Sequence, residues 1–270
     1  MADREEQAAT VGTDLGLALL KINDDSDDER ERAEASSESE DEAYNEHNQE
    51  EQQQQYLLKS IQSSILIRQL PSEGLSFQLW PAATALVSLM DQEHLPIPCV
   101  DKLKATSNVD RPIRALELGS GTGLVGIAAA ALLGAQVVLT DLPHVLPNLL
   151  FNAEANGEVV RASGRGGSVS VDCLRWGNAE DCLKHRGLDL ILASDVVYHS
   201  HLFDPLLQTL RLLLVDETVL VMAHLRRWKK DAVFFKKAKK WFDVEMVHTH
   251  PPFPGTRVGV AIYCFTKRRA

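Results

Sequence analysis

Two carboxylates bracket a glycine-rich stretch between Ala115 and Asp141, which reads ALELGSGTGLVGIAAAALLGAQVVLTD. Apolar residues run into Glu117, alternating glycines follow at Gly119, Gly121 and Gly123, and a second apolar run ends at Asp141. Glycine at such a bend lets a strand turn sharply into a helix and lets a ligand approach the backbone. The helix start offers N–H groups that no earlier turn can pair. A carboxylate closing the next strand can accept both hydroxyls of a ribose. This is the chemistry of a nucleoside-binding turn. The plainer alternative is a glycine turn that holds no ligand, with Asp141 capping the next helix.

The glycines alone leave the ligand open, because Gly121, Gly123 and Gly126 also fit the dinucleotide spacing G-x-G-x-x-G. Glu117 discriminates. A carboxylate just before the turn repels a pyrophosphate and suits a ligand with an ammonium group. S-adenosylmethionine carries adenine, ribose and a methionine ammonium and no phosphate, so it is expected here over a nicotinamide or flavin.

The elements that must position these residues alternate. Ser64–Leu70 and Leu75–Trp80 read as a strand hairpin across Pro71–Gly74, and Pro81 opens a helix. Residues 95–111 read as loop. Strands follow at Ile113–Leu118, Val137–Leu139, Val169–Cys173, Leu188–Ala193 and Thr218–Ala223. Helices fall between them, including Pro143–Asn156 with Leu146, Leu149, Leu150 and Ala153 on one face. Arg226–Lys240 reads as a basic helix with an apolar stripe through Val233, Phe234 and Ala238, and Val244–His248 with Val258–Phe265 closes the chain as an antiparallel hairpin. Alternating strands and helices predict an α/β fold, a Rossmann-like parallel sheet with that hairpin at its edge.

In an open parallel sheet the ligand lies beyond the carboxyl ends of the strands, where strand order reverses. That rule gathers Glu117 and the glycines, Asp141, Trp176 after the third strand, and Ser194, Asp195 and Tyr198 after the fourth. Asp195 and Tyr198 have an acid–x–x–aromatic spacing that can aim a carboxylate and a ring into one pocket, a pair suited to a cation. An Asp capping the next helix beside a core-edge Tyr is an equal reading from position alone.

The set LELGSGTGLVGI, TDLPHVLPNLLFNAEANG, LRWG and ILASDVVY resembles the seven-β-strand protein-lysine methyltransferases grouped as methyltransferase family 16, of the methyltransferase-like 21 type. The likeness runs from about Ser64 to the C-terminus. It implies a methyltransferase that uses S-adenosylmethionine to modify a lysine side-chain amine of a protein. It further implies that Gly119, Ser120 and Gly121 line the methionine part of the cofactor, with Gly123 in the same turn, and that Asp141 holds the ribose. Trp176 is implied beside the adenine, Ser194 near the sulfonium, and Trp80, in QLWPAA, as a cover over the cofactor. Asp195 and Tyr198 match the acid–x–x–Tyr signature of those enzymes and are implied as the catalytic pair.

Charge divides the chain. Residues 1–55 carry 18 Asp/Glu against 4 Lys/Arg, leaving 20 against 24 in residues 56–270, so the formal net charge of −10 belongs to the tail. The tail, poor in large apolar residues, is expected to be disordered, and residues 56–270 to form one methyltransferase domain. Four scattered cysteines form no C-x-x-C and no metal-ligand spacing, so neither a disulfide framework nor a metal site is implied and a reducing cytosol or nucleus is expected. No run reads as a secretory leader or is apolar enough to span a bilayer. The basic helix leaves RNA open as a less favoured acceptor. The remaining alternatives are a small-molecule methyltransferase and a non-catalytic module that keeps the cofactor pocket; a monomer is expected.

Overall fold

The computed structural model describes residues 51–108, 110–215, 217–226, 230–253 and 258–268. The acidic tail up to residue 50, and residues 227–229 of the expected basic helix, lie outside the described residues.

The chain begins with an antiparallel hairpin of β1 (Gln52–Leu58) and β2 (Ser63–Gln69). This corrects two expectations. The last glutamines of the tail are strand rather than disordered, and β2 pairs backwards with them instead of forward with Leu75–Trp80. The alternation decides it. Leu58, Ile65 and Ile67 point inward and are fully buried, so the polar Gln52–Gln55 segment is carried into register by the apolar end of its own strand. Past Pro71 the chain instead coils into short 3₁₀ turns at Pro71–Glu73 and Leu75–Phe77.

Helix α1 (Pro81–Met90) follows with Pro81 in its first turn, as expected. The segment expected as loop contains a further helix, α2 (Pro98–Thr106). Pro98 starts it in the same way, and Val100 and Leu103 turn one face to the core.

The main sheet contains β3 (Arg114–Leu118), β4 (Gln136–Asp141), β5 (Ser168–Cys173), β6 (Leu190–Ser194), β7 (Val219–Leu225), β8 (Phe242–His250) and β9 (Val260–Lys267). Their order is β5-β4-β3-β6-β7-β9-β8; the first five are parallel, and β9 runs antiparallel to both β7 and β8. Strand order reverses between β3 and β6, which stay paired up to Leu118 and Ala193, so the chain leaves these two strands toward opposite faces of the sheet, the topology that opens a ligand crevice beyond their carboxyl ends.

Both faces of the sheet are covered. On one side α1 and α3 (Leu124–Leu133) pack with Val137, Leu139, Leu192 and Val221. All ten residues of α3 are buried, as suits a helix apolar all round. On the other side α7 (Phe203–Leu213) and α8 (Asp231–Ala238) pack with Leu116, Ile191, Met222 and Phe265. In α8 the buried stripe is Phe234 and Ala238 with Phe235 against Tyr263, whereas Val233 is 49% exposed, because the helix starts later and its face is rotated from the expected one. Short helices α5 (Gly157–Ala162) and α6 (Ala179–Leu183) flank β5 in the chain. Among the described residues no helix is long and apolar enough to cross a membrane.

Helix α4 (Leu146–Ala155) buries Leu149 and Ala153 but leaves Leu150 46% exposed. Its asparagines do what a neighbouring strand would do. Asn156 accepts from the Leu66 N–H (2.8 Å) and donates to the Leu66 carbonyl (2.7 Å), and Asn152 does the same for Arg68 (2.8 and 3.1 Å). The free edge of β2 is thereby satisfied by side chains.

Candidate active site

The glycine turn joins β3 to α3, with Gly119, Gly121 and Gly123 at φ values of 60°, 54° and 83°. All three lie in the left-handed region that favours glycine. All three are also crowded, and Gly123 most of all, since a Cβ there would sit 2.7 Å from Leu149. A Cβ at Gly121 would sit 3.0 Å from the Ser76 carbonyl oxygen, and one at Gly119 would sit 3.0 Å from the Trp176 ring. The turn is therefore gripped from two sides. One is the Leu75–Phe77 segment, to whose Leu75 carbonyl the Trp80 indole donates at 2.9 Å; the other is Trp176, three residues beyond the end of β5.

Asp141 closes β4 and holds the same turn, its carboxylate accepting from the Gly121 N–H and the Leu142 N–H, both at 2.8 Å. Burial pushes its carboxyl above the ordinary range. Ser120 is spent inside the turn: its hydroxyl donates to the Glu117 carbonyl (3.3 Å) and accepts from the Thr140 N–H (3.0 Å). Its backbone is engaged as well, the N–H donating to the Thr140 carbonyl (2.9 Å) and the carbonyl accepting from the Gly123 N–H (2.8 Å).

Glu117 is placed differently from the expectation that it meets a ligand's ammonium. It is 1% exposed, and its Oε2 accepts from the Gly126 N–H at 2.9 Å. Burial pushes its carboxyl up to about 8, against the pull of the Gly126 N–H and Ser120 and with the Asp141 charge adding to the rise. A Cβ on Gly126 would fall 2.2 Å from Leu139 and 2.8 Å from that same Oε2, so the third helical residue is glycine to admit the acid. Glu117 lies beneath the turn and fixes the helix start.

Across the crevice, β6 ends at Ser194, which is half-buried. Asp195 follows with φ of 52°, one of two non-glycine residues with positive φ among the described residues. Its N–H donates to the Ala223 carbonyl (3.0 Å), and its Oδ1 accepts from the Leu225 N–H (2.9 Å), which ties it to the carboxyl end of β7. The side chain is 9% exposed. Val196 and Val197 anchor the next residues in the core, and Tyr198 is half-buried with its ring 4.9 Å from that of His199. Burial raises the Tyr198 phenol, and the Asp141 charge raises it further.

A family model described as lysine methyltransferase matches residues 59–241. The chain belongs to this lysine methyltransferase family. It is 35% identical over 175 residues, covering 65% of this chain and 72% of the relative, to protein N-lysine methyltransferase METTL21A of Danio rerio. It is 33% identical over 168 residues to protein-lysine N-methyltransferase rrg1 of Schizosaccharomyces pombe, covering 60% of this chain and 50% of that protein. Among solved structures, a TehB-like SAM-dependent methyltransferase from Corynebacterium glutamicum overlays 68% of this chain and 93% of its own, at 16% identity and a TM-score of 0.45.

The cofactor of this lysine methyltransferase family member is S-adenosylmethionine. The site fits it. No lysine or arginine stands between Glu117 and Asp141 to meet a phosphate, and Asp141 closes β4 with a carboxylate placed for a ribose.

The expected residues fall into two adjoining groups. Gly119, Ser120, Gly121, Gly123, Asp141, Trp176 and Trp80 surround one turn, while Ser194, Asp195 and Tyr198 stand on the neighbouring strand. One residue that the sequence reading missed is His224 on β7. It is buried, with Nδ1 4.0 Å from Asp195 Oδ1 and Nε2 3.1 Å from Asp231 Oδ2. The signal available was a histidine at the end of an otherwise apolar strand, VLVMAHL.

Proposed function

We propose that this lysine methyltransferase modifies the side-chain amine of a lysine in a protein substrate, with Asp195 and Tyr198 receiving the acceptor beside the cofactor turn. The observation that carries the reading is the Asp195–Tyr198 element itself. A carboxylate is held at positive φ at the carboxyl end of β6, one strand from the glycine turn of β3. Strain of this kind persists only where the surroundings hold it, and it gathers at functional sites.

S-adenosylmethionine supplies an electrophilic methyl group on a positive sulfonium. The chain's residues bind and align. Asp141 takes the ribose hydroxyls with the lone pairs its two backbone bonds leave over. The Trp176 ring borders the adenine, the Gly119–Gly121 turn takes the methionine part with Ser194 opposite, and Trp80 covers the site from the Leu75–Phe77 side. Gly123 and Glu117 keep the turn in shape, so Glu117 acts on the cofactor through the backbone it holds.

At the acceptor end, Asp195 draws in the lysine ammonium and fixes its direction, and the Tyr198 ring offers a face to the cation. A lysine attacks only when neutral, and its unperturbed pKa is about 10.4. Removal from water and proximity to another positive charge favour the neutral amine. Asp195 has one oxygen engaged with the Leu225 N–H, so it serves as an orienting group while water carries the proton away. Alignment of this kind can supply much of the rate enhancement.

The reading extends to a monomer acting in the cytosol or nucleus, supported by four cysteines that are all free thiols. The deciding experiment incubates the protein with radiolabelled S-adenosylmethionine and a cell extract, with and without nuclease. Label in a protein band that survives nuclease, and that is lost with Asp195→Ala, supports the proposal. Label in RNA overturns it.

A further inference from the structure

Cys99, in the first turn of α2, and Cys264, in the middle of β9, come from positions 165 residues apart, yet their sulfurs are 2.9 Å from each other. That is within an ångström of the bonded distance of about 2.05 Å. Both are free thiols; Cys264 is buried and Cys99 half-buried. The pair lies on the α1/α3 side of the sheet, in the same apolar cluster as Val221, the β7 partner of Cys264. It is remote from the carboxyl end of β7, where Leu225 meets Asp195.

We propose that Cys99 and Cys264 are a redox-modification site, closing to an intramolecular disulfide when the protein meets a peroxide and reopening under thiol reductants. Three observations support it. The two sulfurs already face each other, so closure needs little backbone movement. The environment also divides the roles. The Cys264 S–H donates to Cys99, which lowers the Cys99 thiol and raises Cys264, while Glu245 opposite Cys264 disfavours ionisation of both. Finally, Cys99 is the one of the two that solvent reaches, and a partly exposed thiolate beside a second thiol is the arrangement peroxides oxidise.

The step balances as follows. The Cys99 thiolate attacks one peroxide oxygen, the O–O bond breaks, and the second oxygen leaves as hydroxide, taking up a proton to become water. Cys99 is then a sulfenic acid. The Cys264 sulfur, losing its proton, attacks the Cys99 sulfur; the S–S bond forms, the S–O bond breaks, and a second water leaves. Two thiols are oxidised and one hydrogen peroxide is reduced. The product ties α2, which precedes the sheet, to β9, the strand between β7 and β8.

The test treats the full chain with a small excess of hydrogen peroxide, blocks remaining thiols with N-ethylmaleimide and maps the unreduced peptides. The expected result is a Cys99–Cys264 cross-linked peptide, a loss of two hydrogens from the intact mass, and recovery of both thiols after dithiothreitol. The closed form should melt roughly 5–10 °C higher than the reduced form, since a long loop is constrained. Cys264→Ala should abolish both cross-link and shift, and should leave Cys99 as a sulfenic acid trapped by dimedone. Recovery of both cysteines as maleimide adducts, of Cys99 as sulfinic acid in the native chain, or of cross-links through Cys173 would overturn the proposal. None of these readouts depends on methyl transfer, so the site stands or falls separately from the proposed function.

Discussion

Asp195 is the residue on which the chemistry is most exposed to test. Its carboxylate is tethered to the Leu225 N–H and its backbone is at positive φ. Asp195→Asn keeps the tether and removes the charge. Methyl transfer should fall by two orders of magnitude or more, about 3 kcal/mol of barrier, with S-adenosylhomocysteine affinity changed by only a few-fold in calorimetry. Unchanged turnover would remove Asp195 from the acceptor site.

Glu117 makes a different prediction at the same scale. Its folded carboxyl stands at about 8 because burial disfavours the charge. A raised folded value means the native state holds a proton that the unfolded chain has released, so the stabilisation is full below the unfolded value and is lost as pH rises through the folded one. Chemical denaturation of the cofactor-free protein should therefore show stability falling between pH 5 and 8 by up to about 1.4 kcal/mol per unit. Asp141, also raised, adds in the same direction. Glu117→Gln keeps an acceptor for Gly126 without the ionisation and should flatten that slope; a slope identical to the parent's would contradict the buried acid.

Among the elements, α3 and α4 show how little freedom the fold leaves around the site. Gly126→Ala places a methyl 2.2 Å from Leu139, with β4 behind it and Glu117 beside it. Overpacking of this kind costs about 1–3 kcal/mol, to be read as a lower denaturant midpoint with unchanged slope. Asn152 bonds both backbone groups of Arg68 and also donates to the Thr122 carbonyl in the glycine turn (2.9 Å). Asn152→Ala removes the partner of the Arg68 N–H and the donor to the Thr122 carbonyl, while Asn148 still donates to the Arg68 carbonyl (3.3 Å), and should cost about 2–4 kcal/mol. Amide exchange at Leu66 and Arg68 should accelerate while β6 stays protected; equal loosening of both would mean a global effect. The same asparagine links the hairpin to the turn, so cofactor affinity should weaken with it.

For the whole molecule, the crevice between β3 and β6 makes ligand binding and folding one equilibrium. S-adenosylhomocysteine at 100 times its Kd should add about 2.7 kcal/mol and raise the melting temperature by roughly 5–10 °C, whereas a reduced nicotinamide cofactor should add nothing. A shift with the nicotinamide instead would mean that the turn had been misassigned.

Much of this architecture was legible in the chain. The α/β class, the strands from β3 to β7, the closing hairpin and the grouping of Gly119, Asp141, Trp176 and Asp195 follow from apolar period, glycine spacing and the rule that parallel strands present their carboxyl ends together. What stayed hidden depended on partners distant in sequence. Nothing local says that Gln52–Gln55 will be strand, because their register is set by Leu58 and Ile65 and their neighbours. Nor does the sequence reveal that Asn152 and Asn156 will stand in for a strand, that Leu75–Phe77 will curl onto Gly121, or that Cys99 will meet Cys264. Glu117 is the sharpest case. Its type and position announced a carboxylate at the cofactor turn. Only packing decided that this carboxylate faces the Gly126 N–H inside the protein, because a side chain's direction is fixed by the space its tertiary neighbours leave and not by its place in the chain.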